Sequence, residues 1–258
     1  MPSIEVLEQR IEVKEIGRKS EAKPTLVFLH HGLGCVELWR NFPNDLCDQT
    51  GCPGLIYSRV GHGKSASTTW PRPVTFLEDQ GRYFLPELLK TLNIRDVILI
   101  GHSEGATISL VYAGAHASTY GDGLRGVIAE APHLFTEPEH ISAISETRDA
   151  FRRTGLHDHL AKYHGDNVEG CFHGWAETWL HPSFLTWSIE HQIPNIKCPV
   201  LAIRGQHDEY GTHQQLERLK SLYLHELEME VLVAGHAPHE ERPQDMLSMM
   251  ARFVNKLL

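Results

Sequence analysis

The sequence predicts an α/β fold: a mostly parallel central sheet with helices on both faces, broken by one helical insertion. Three observations predict it. Short apolar runs bounded by turn residues recur along the chain, as buried parallel strands require. Longer segments with apolar residues at three- and four-residue spacing alternate with them. One interval, from Pro132 to Lys197, carries no such run.

The elements follow in order. "IEVLEQRIEVKEIG" alternates more strictly than the rest and predicts a starting antiparallel hairpin. "TLVFLHHG", "GLIYSRVG", "DVILIGHS", "LRGVIAEAP", "CPVLAIRGQHD" and "MEVLVAGH" each predict a short strand, buried on both faces, that ends in a loop. "FLEDQGRYFLPELLKTLN", "GATISLVYAGAHAS" and "RPQDMLSMMARFVNKLL" predict the helices between and after them. The interval 132–197 holds the amphipathic stretch "EHISAISETRDAFRRTGLHDHLAKYH" and the aromatic run "CFHGWAETWLHPSFLTW". It is read as a helical insertion between two sheet strands, so residues 1–131 and 198–258 form the core. An insertion there lies over the crevice where α/β proteins bind ligands.

Composition narrows the function classes. A chain of 258 residues with 41% hydrophobic and 22% charged residues suits one large soluble domain. A net charge of −9 argues against non-specific nucleic-acid binding. The charged N-terminal stretch and the lack of a long apolar run predict no signal peptide and no membrane partner. Five cysteines without metal-ligand spacing predict reduced thiols and a cytoplasmic location. Oligomeric state leaves no trace in the sequence.

Two glycine-rich stretches invite a chemical reading. "GHGKS" ends like a phosphate-binding loop, but the first glycine such a loop needs is Ser58 here. "GHSEG", Gly101 to Gly105, lies between a predicted strand and a predicted helix, the setting of a nucleophile elbow. That turn lifts the Ser103 hydroxyl above the sheet edge, at a helix N-terminus that favours developing negative charge.

A serine hydroxyl needs a base to take its proton. His236, directly after the last predicted strand, is favoured over His239, which approaches the next helix and reads as a surface or capping residue. The base needs an orienting carboxylate. Asp208 follows a strand and falls between Ser103 and His236 in the chain, with Glu209 and then Glu130 as fallbacks. The oxyanion donors expected are the backbone N–H groups of Glu104 and Leu33, each typically worth about 3–4 kcal/mol in the transition state. A glutamate beside a developing oxyanion must point away or be paired.

These residues together resemble the α/β-hydrolase fold superfamily, in its single-domain group with a helical cap. "HHGLG" resembles that group's oxyanion turn, "GHSEG" its elbow, "GQHDEYG" its acid loop and "GHAPHEERP" its histidine loop. The resemblance runs from about Thr25 to the C-terminus, with the cap lacking family motifs. "SRVGHGKS" resembles the family's Arg-x-Gly-x-Gly-x-Ser turn, so Arg59, Gly61, Gly63 and Ser65 are expected to build a loop near the site mouth.

The resemblance implies a serine hydrolase that cleaves a small ester or related acyl compound through an acyl-enzyme, with no cofactor and no metal. Lactonase, thioesterase, C–C bond hydrolase, perhydrolase and a triad-bearing lyase remain open, as does a ligand receptor with negligible turnover. Among the many histidines of the insertion, His157 and His164 are spaced to share a helix face, though solvated or hydrogen-bonded roles are favoured over a metal site. Phe172, Trp175, Trp179, Phe184 and Trp187 either line an acyl pocket or anchor the insertion to the core.

Overall fold

The computed structural model describes residues 2–18, 22–116 and 123–258. Its strands are β1 (Ser3–Val6), β2 (Gln9–Ile16), β3 (Thr25–Leu29), β4 (Gly54–Tyr57), β5 (Val97–His102), β6 (Leu124–Glu130), β7 (Val200–Gly205) and β8 (Leu227–Leu232). They form one sheet in the order β1-β2-β4-β3-β5-β6-β7-β8. β1 and β2 make the expected antiparallel hairpin, and β2 joins β4 antiparallel. From β4 onward every pairing is parallel.

The helices are α1 (Phe42–Thr50), α2 (Phe76–Asp79), α3 (Leu85–Thr91), α4 (Glu104–His116), α5 (Pro138–Ala150), α6 (Leu156–His164), α7 (Val168–Trp179), α8 (Gln214–Leu222), α9 (Pro238–Glu241) and α10 (Pro243–Lys256). The segment predicted as one helix over 76–93 is α2 and α3 joined by a π-helical turn at Gln80–Phe84. The last two residues of the helix predicted over 105–118 lie outside the described residues.

Period-two alternation in the strands sorts their side chains into two cores. Leu26, Phe28, Ile56, Ile98, Ile100, Leu201 and Ile203 face α1 and α10, meeting Leu46, Met250, Phe253 and Val254. Val27, Leu29, Leu55, Leu99, Val127 and Ala202 face the other way, towards α4 and the insertion. Each such side chain fully buried contributes roughly 1.5–3 kcal/mol. α4 is buried from Glu104 to Gly114 because α2, the π-helical turn Gln80–Phe84 and the turn Glu190–Asn195 cover its outer side, so it lacks the polar stripe of a surface helix.

β8 departs from the reading. It is an edge strand with no residue buried, and Val231 is 50% exposed. Its Val and Leu content reflects strand propensity, whereas burial needs a neighbour that the last strand lacks. It also ends at Leu232, so His236 sits in a loop four residues beyond it.

Between β6 and β7 the chain forms α5, α6, α7 and the 3₁₀ turns Pro182–Thr186 and Glu190–Asn195. Among the described residues this interval has one isolated bridge, Phe135 to Ser188, and no strand. No helix is long and apolar enough to cross a membrane among the described residues. Since β3 and β5 to β8 run parallel, the loops after them gather at one sheet edge, where α/β proteins bind ligands.

Candidate active site

Ser103 occupies the turn between β5 and α4 with φ +56°, a left-handed conformation that costs a serine energy. Tight packing enforces it. A Cβ on Gly101 would stand 2.2 Å from the Gly105 carbonyl oxygen, and one on Gly105 would stand 2.0 Å from that of Leu29. The Ser103 N–H donates to the Glu130 carbonyl at 2.8 Å, tying the elbow to β6. Ser103 lines a cavity of about 270 Å³ together with His31, Leu33, His133, Trp175, Tyr210 and His236.

His236 enters from the loop after β8. Its Nδ1 lies 2.8 Å from the Asp208 Oδ1, and the His102 Nε2 donates to its carbonyl at 2.8 Å. With Nδ1–H donated to the carboxylate, Nε2 keeps a lone pair for proton transfer. Asp208 also accepts from the Tyr210 N–H at 2.9 Å and pairs with the Arg204 guanidinium at 3.1 Å. Burial alone would raise the Asp208 carboxyl; His236, Arg204 and the Tyr210 amide outweigh it and hold it below its ordinary value. It is therefore ionised at neutral pH. Of the fallback acids, Glu209 is exposed at the cavity mouth and Glu130 is engaged elsewhere.

Glu130 is engaged by His239, which is not the surface or capping residue expected. It is 6% exposed, and both its N–H and its Nδ1 meet the Glu130 carboxylate, at 2.9 and 3.0 Å from Oε1. Burial would lower this imidazole, but Glu130 more than offsets it and raises it above its usual value. The loop folds inward because α9 turns His239 between Trp39 and Phe42, whose rings lie 4.9 and 5.4 Å away. His102, Glu130 and His239 bring ligand atoms within 4.8 Å of one another, the closest approach to a metal set among the described residues. The Glu130–His239 ion pair already occupies two of the three.

The N–H groups expected to serve as oxyanion donors are placed unequally. Glu104 opens α4, and the first N–H groups of a helix have no intrahelical partner. Leu33 reaches the cavity, but its N–H is directed to the His31 Nδ1 at 3.3 Å. That bond is long, and an oxyanion is the stronger acceptor.

The Glu104 side chain is paired, by residues distant in sequence. Its carboxylate accepts from Arg59 at 2.6 Å and from the Trp179 Nε1 at 2.9 Å. Arg59 also donates to the His30 and His31 carbonyls, which ties the turn after β3 to the elbow. Both members of the Arg59–Glu104 pair are at most 3% exposed. Arg59→Met is expected to destabilise the chain by about 3–5 kcal/mol, because it leaves a buried carboxylate without its cation. Urea denaturation measures this, and Arg59→Met/Glu104→Gln should recover part of the loss.

The rest of "SRVGHGKS" is structural. Gly61 and Gly63 have φ +81° and +51°, and the Ser65 hydroxyl bridges the Glu12 N–H and the Ser58 carbonyl. Lys64 points to solvent against Glu37. His157 and His164 part company: His157 pairs with Asp158 and Glu169, whereas His164 is buried between the Gly63 N–H and the Leu33 carbonyl.

Of the tryptophans proposed for a pocket, only Trp175 lines the cavity. Trp179 is buried on Glu104, and Trp187 donates to Glu78 and borders a separate groove near Arg218. The sequence reading passed over His133, His140 and Tyr210, which face the cavity. A positional signal existed for one of them: His133 stands just past the end of β6, at the same sheet edge as Ser103 and Asp208.

Comparison with known proteins agrees with this architecture. The chain is 23% identical over 250 residues to a proline iminopeptidase of Heyndrickxia coagulans, covering 80% of this chain and 82% of that protein. A carboxylesterase structure from Nitrososphaera gargenis superposes with a TM-score of 0.79 at 20% identity, over 99% and 98% of the two chains. The enol-lactonase from Burkholderia xenovorans LB400 gives 0.74 at 19% identity, over 98% and 100%. The model of the alpha/beta hydrolase family matches residues 26–248, which span the elbow, the acid loop and the histidine loop, and the chain belongs to that family.

Proposed function

We propose that the protein is a serine hydrolase that cleaves a small ester or related acyl compound through an acyl-enzyme on Ser103, His236 and Asp208. One observation carries the reading: Ser103, held left-handed at the elbow, opens into the same cavity as a His236 whose Nδ1 is fixed by Asp208. The Ser103 Oγ attacks the carbonyl carbon while the His236 Nε2 takes its proton. The Glu104 N–H, and that of Leu33 once released from His31, bind the oxyanion. Collapse breaks the bond to the leaving alcohol, which receives the proton from His236. Water then attacks the acyl-enzyme by the same route and releases the acid. In this reading residues 132–197 act as a cap, which supplies Trp175 and His140 to the cavity. Carboxylesterase and lactonase activities among the similar structures fit an acyl–oxygen substrate, and neither fixes its identity.

Incubation with a fluorophosphonate probe tests the reading by intact mass. A single adduct on the wild type, absent from Ser103→Ala, is the expected result. No adduct on either protein would overturn it and leave a ligand-binding role for the same cavity.

A further inference from the structure

Two histidines of the Ser103 cavity have no part in the acyl transfer just described, on which this inference rests. His133 lies three residues beyond β6 and His140 in the first turn of α5, and their rings stack 4.1 Å apart at 7°. They are 1% and 3% exposed. Neither ring nitrogen of His133, nor the His140 Nδ1, has a hydrogen-bond partner among the described residues. His102, in the same cavity, leaves its Nδ1 without a partner but bonds the His236 carbonyl through Nε2. His30 and His164 each use both ring nitrogens, on His31 and Arg59 and on Gly63 and Leu33 respectively.

A buried polar nitrogen without a partner costs stability, and both side chains line the Ser103 cavity, so a ligand group there that reaches these nitrogens restores bonds the fold leaves unmade. The position is rigid. The His133 backbone is clamped to α4 by two bonds with the Thr107 hydroxyl, at 2.8 and 3.1 Å. Its ring centroid lies 5.9 Å from that of His236 and 5.7 Å from that of Trp179. The pair is therefore close to the reacting centre and held there before substrate arrives.

The chemistry of the pair selects its ligand. Burial keeps both imidazoles neutral at pH 7, His140 being pushed down to about 3. A neutral imidazole offers one N–H donor and one lone pair, which complements a group that both accepts and donates. The mouth bears Glu209, Glu240 and Glu241, all exposed, whose charge opposes the entry of an anion. A volume of about 270 Å³ admits only a short acyl chain.

We propose that His133 and His140 form a substrate subsite that selects short esters carrying a neutral hydroxyl close to the scissile carbonyl. The test compares phenyl 3-hydroxybutyrate with phenyl butyrate. The expected ratio of kcat/KM is about three- to tenfold in favour of the hydroxy ester, the scale of one net hydrogen bond. His133→Phe and His140→Phe, each checked for folding by circular dichroism, should bring that ratio close to one, and His133→Gln should retain part of it. A wild-type ratio near one, a ratio unchanged in both phenylalanine variants, or a preference for the monophenyl ester of succinic acid would overturn the subsite. If neither ester is turned over, it is the acyl-transfer reading that fails. Tryptophan fluorescence titrations with 3-hydroxybutyramide and butyramide then decide the subsite alone: tighter binding of the hydroxy amide sustains it, and equal binding overturns it.

Discussion

His236→Ala is expected to lower kcat on a short phenyl ester by about four to six orders of magnitude, since in the proposed mechanism His236 is the base that takes the Ser103 proton. His239, the rival in sequence, cannot substitute, because its ring is committed to Glu130. Asp208→Asn should cost about 10⁴-fold, as an amide no longer enforces Nδ1 protonation on His236. It also leaves the Arg204 guanidinium, 1% exposed, beside a neutral group, so some loss of stability accompanies it. The double variant should be no slower than His236→Ala, because the residues act as one unit. Steady-state kinetics on the folded variants checks all three. Activity of His236→Ala within tenfold of the wild type would remove His236 as the base.

Stability is expected to fall steeply between pH 7 and about pH 5.5. Burial holds His30, His31, His62 and His133 well below their usual value and pushes His102 and His140 down to about 3. In the unfolded chain each titrates near 6.5. As pH falls through that value the unfolded state binds protons and the folded state does not, so stability drops with pH. Each histidine contributes a slope approaching about 1.4 kcal/mol per pH unit, or on the order of 1 kcal/mol over this window. Together they rival the whole stability of a typical domain, about 5–15 kcal/mol. His239, raised by Glu130, works in the opposite sense: its contribution is fully present below about 6.5 and is lost as pH rises through its folded value. Asp208, held low, loses its contribution only below its unfolded value near 4. Urea midpoints measured from pH 7.5 to 5 read the effect. A midpoint constant across that range would show that the histidines are not buried as neutral groups.

Much of the fold and the candidate site was legible because the signals were local. The strand–GHSEG–helix pattern is contiguous in the chain, and so are the acid and histidine loops, each just past an apolar run. What stayed illegible depends on partners distant in sequence. Glu104 stood as an awkward residue until Arg59 and Trp179, 45 and 75 positions away, were brought to it. His239 read as exposed because nothing in its own loop announces Trp39, Phe42 and Glu130 as neighbours. The apolar sequence of β8 says strand, and only its place at the end of the sheet order leaves it uncovered.

The sequence by itself determined the class of fold, the elbow and the order of the candidate triad, since backbone period and turn chemistry are written in neighbouring residues. The tertiary structure alone decided which histidine meets Asp208, which tryptophan reaches the cavity, and that His133 stacks on His140 beside Ser103. The reason is physical: a side chain's protonation and hydrogen bonding follow from the groups packed against it, and packing joins positions that the chain keeps far apart.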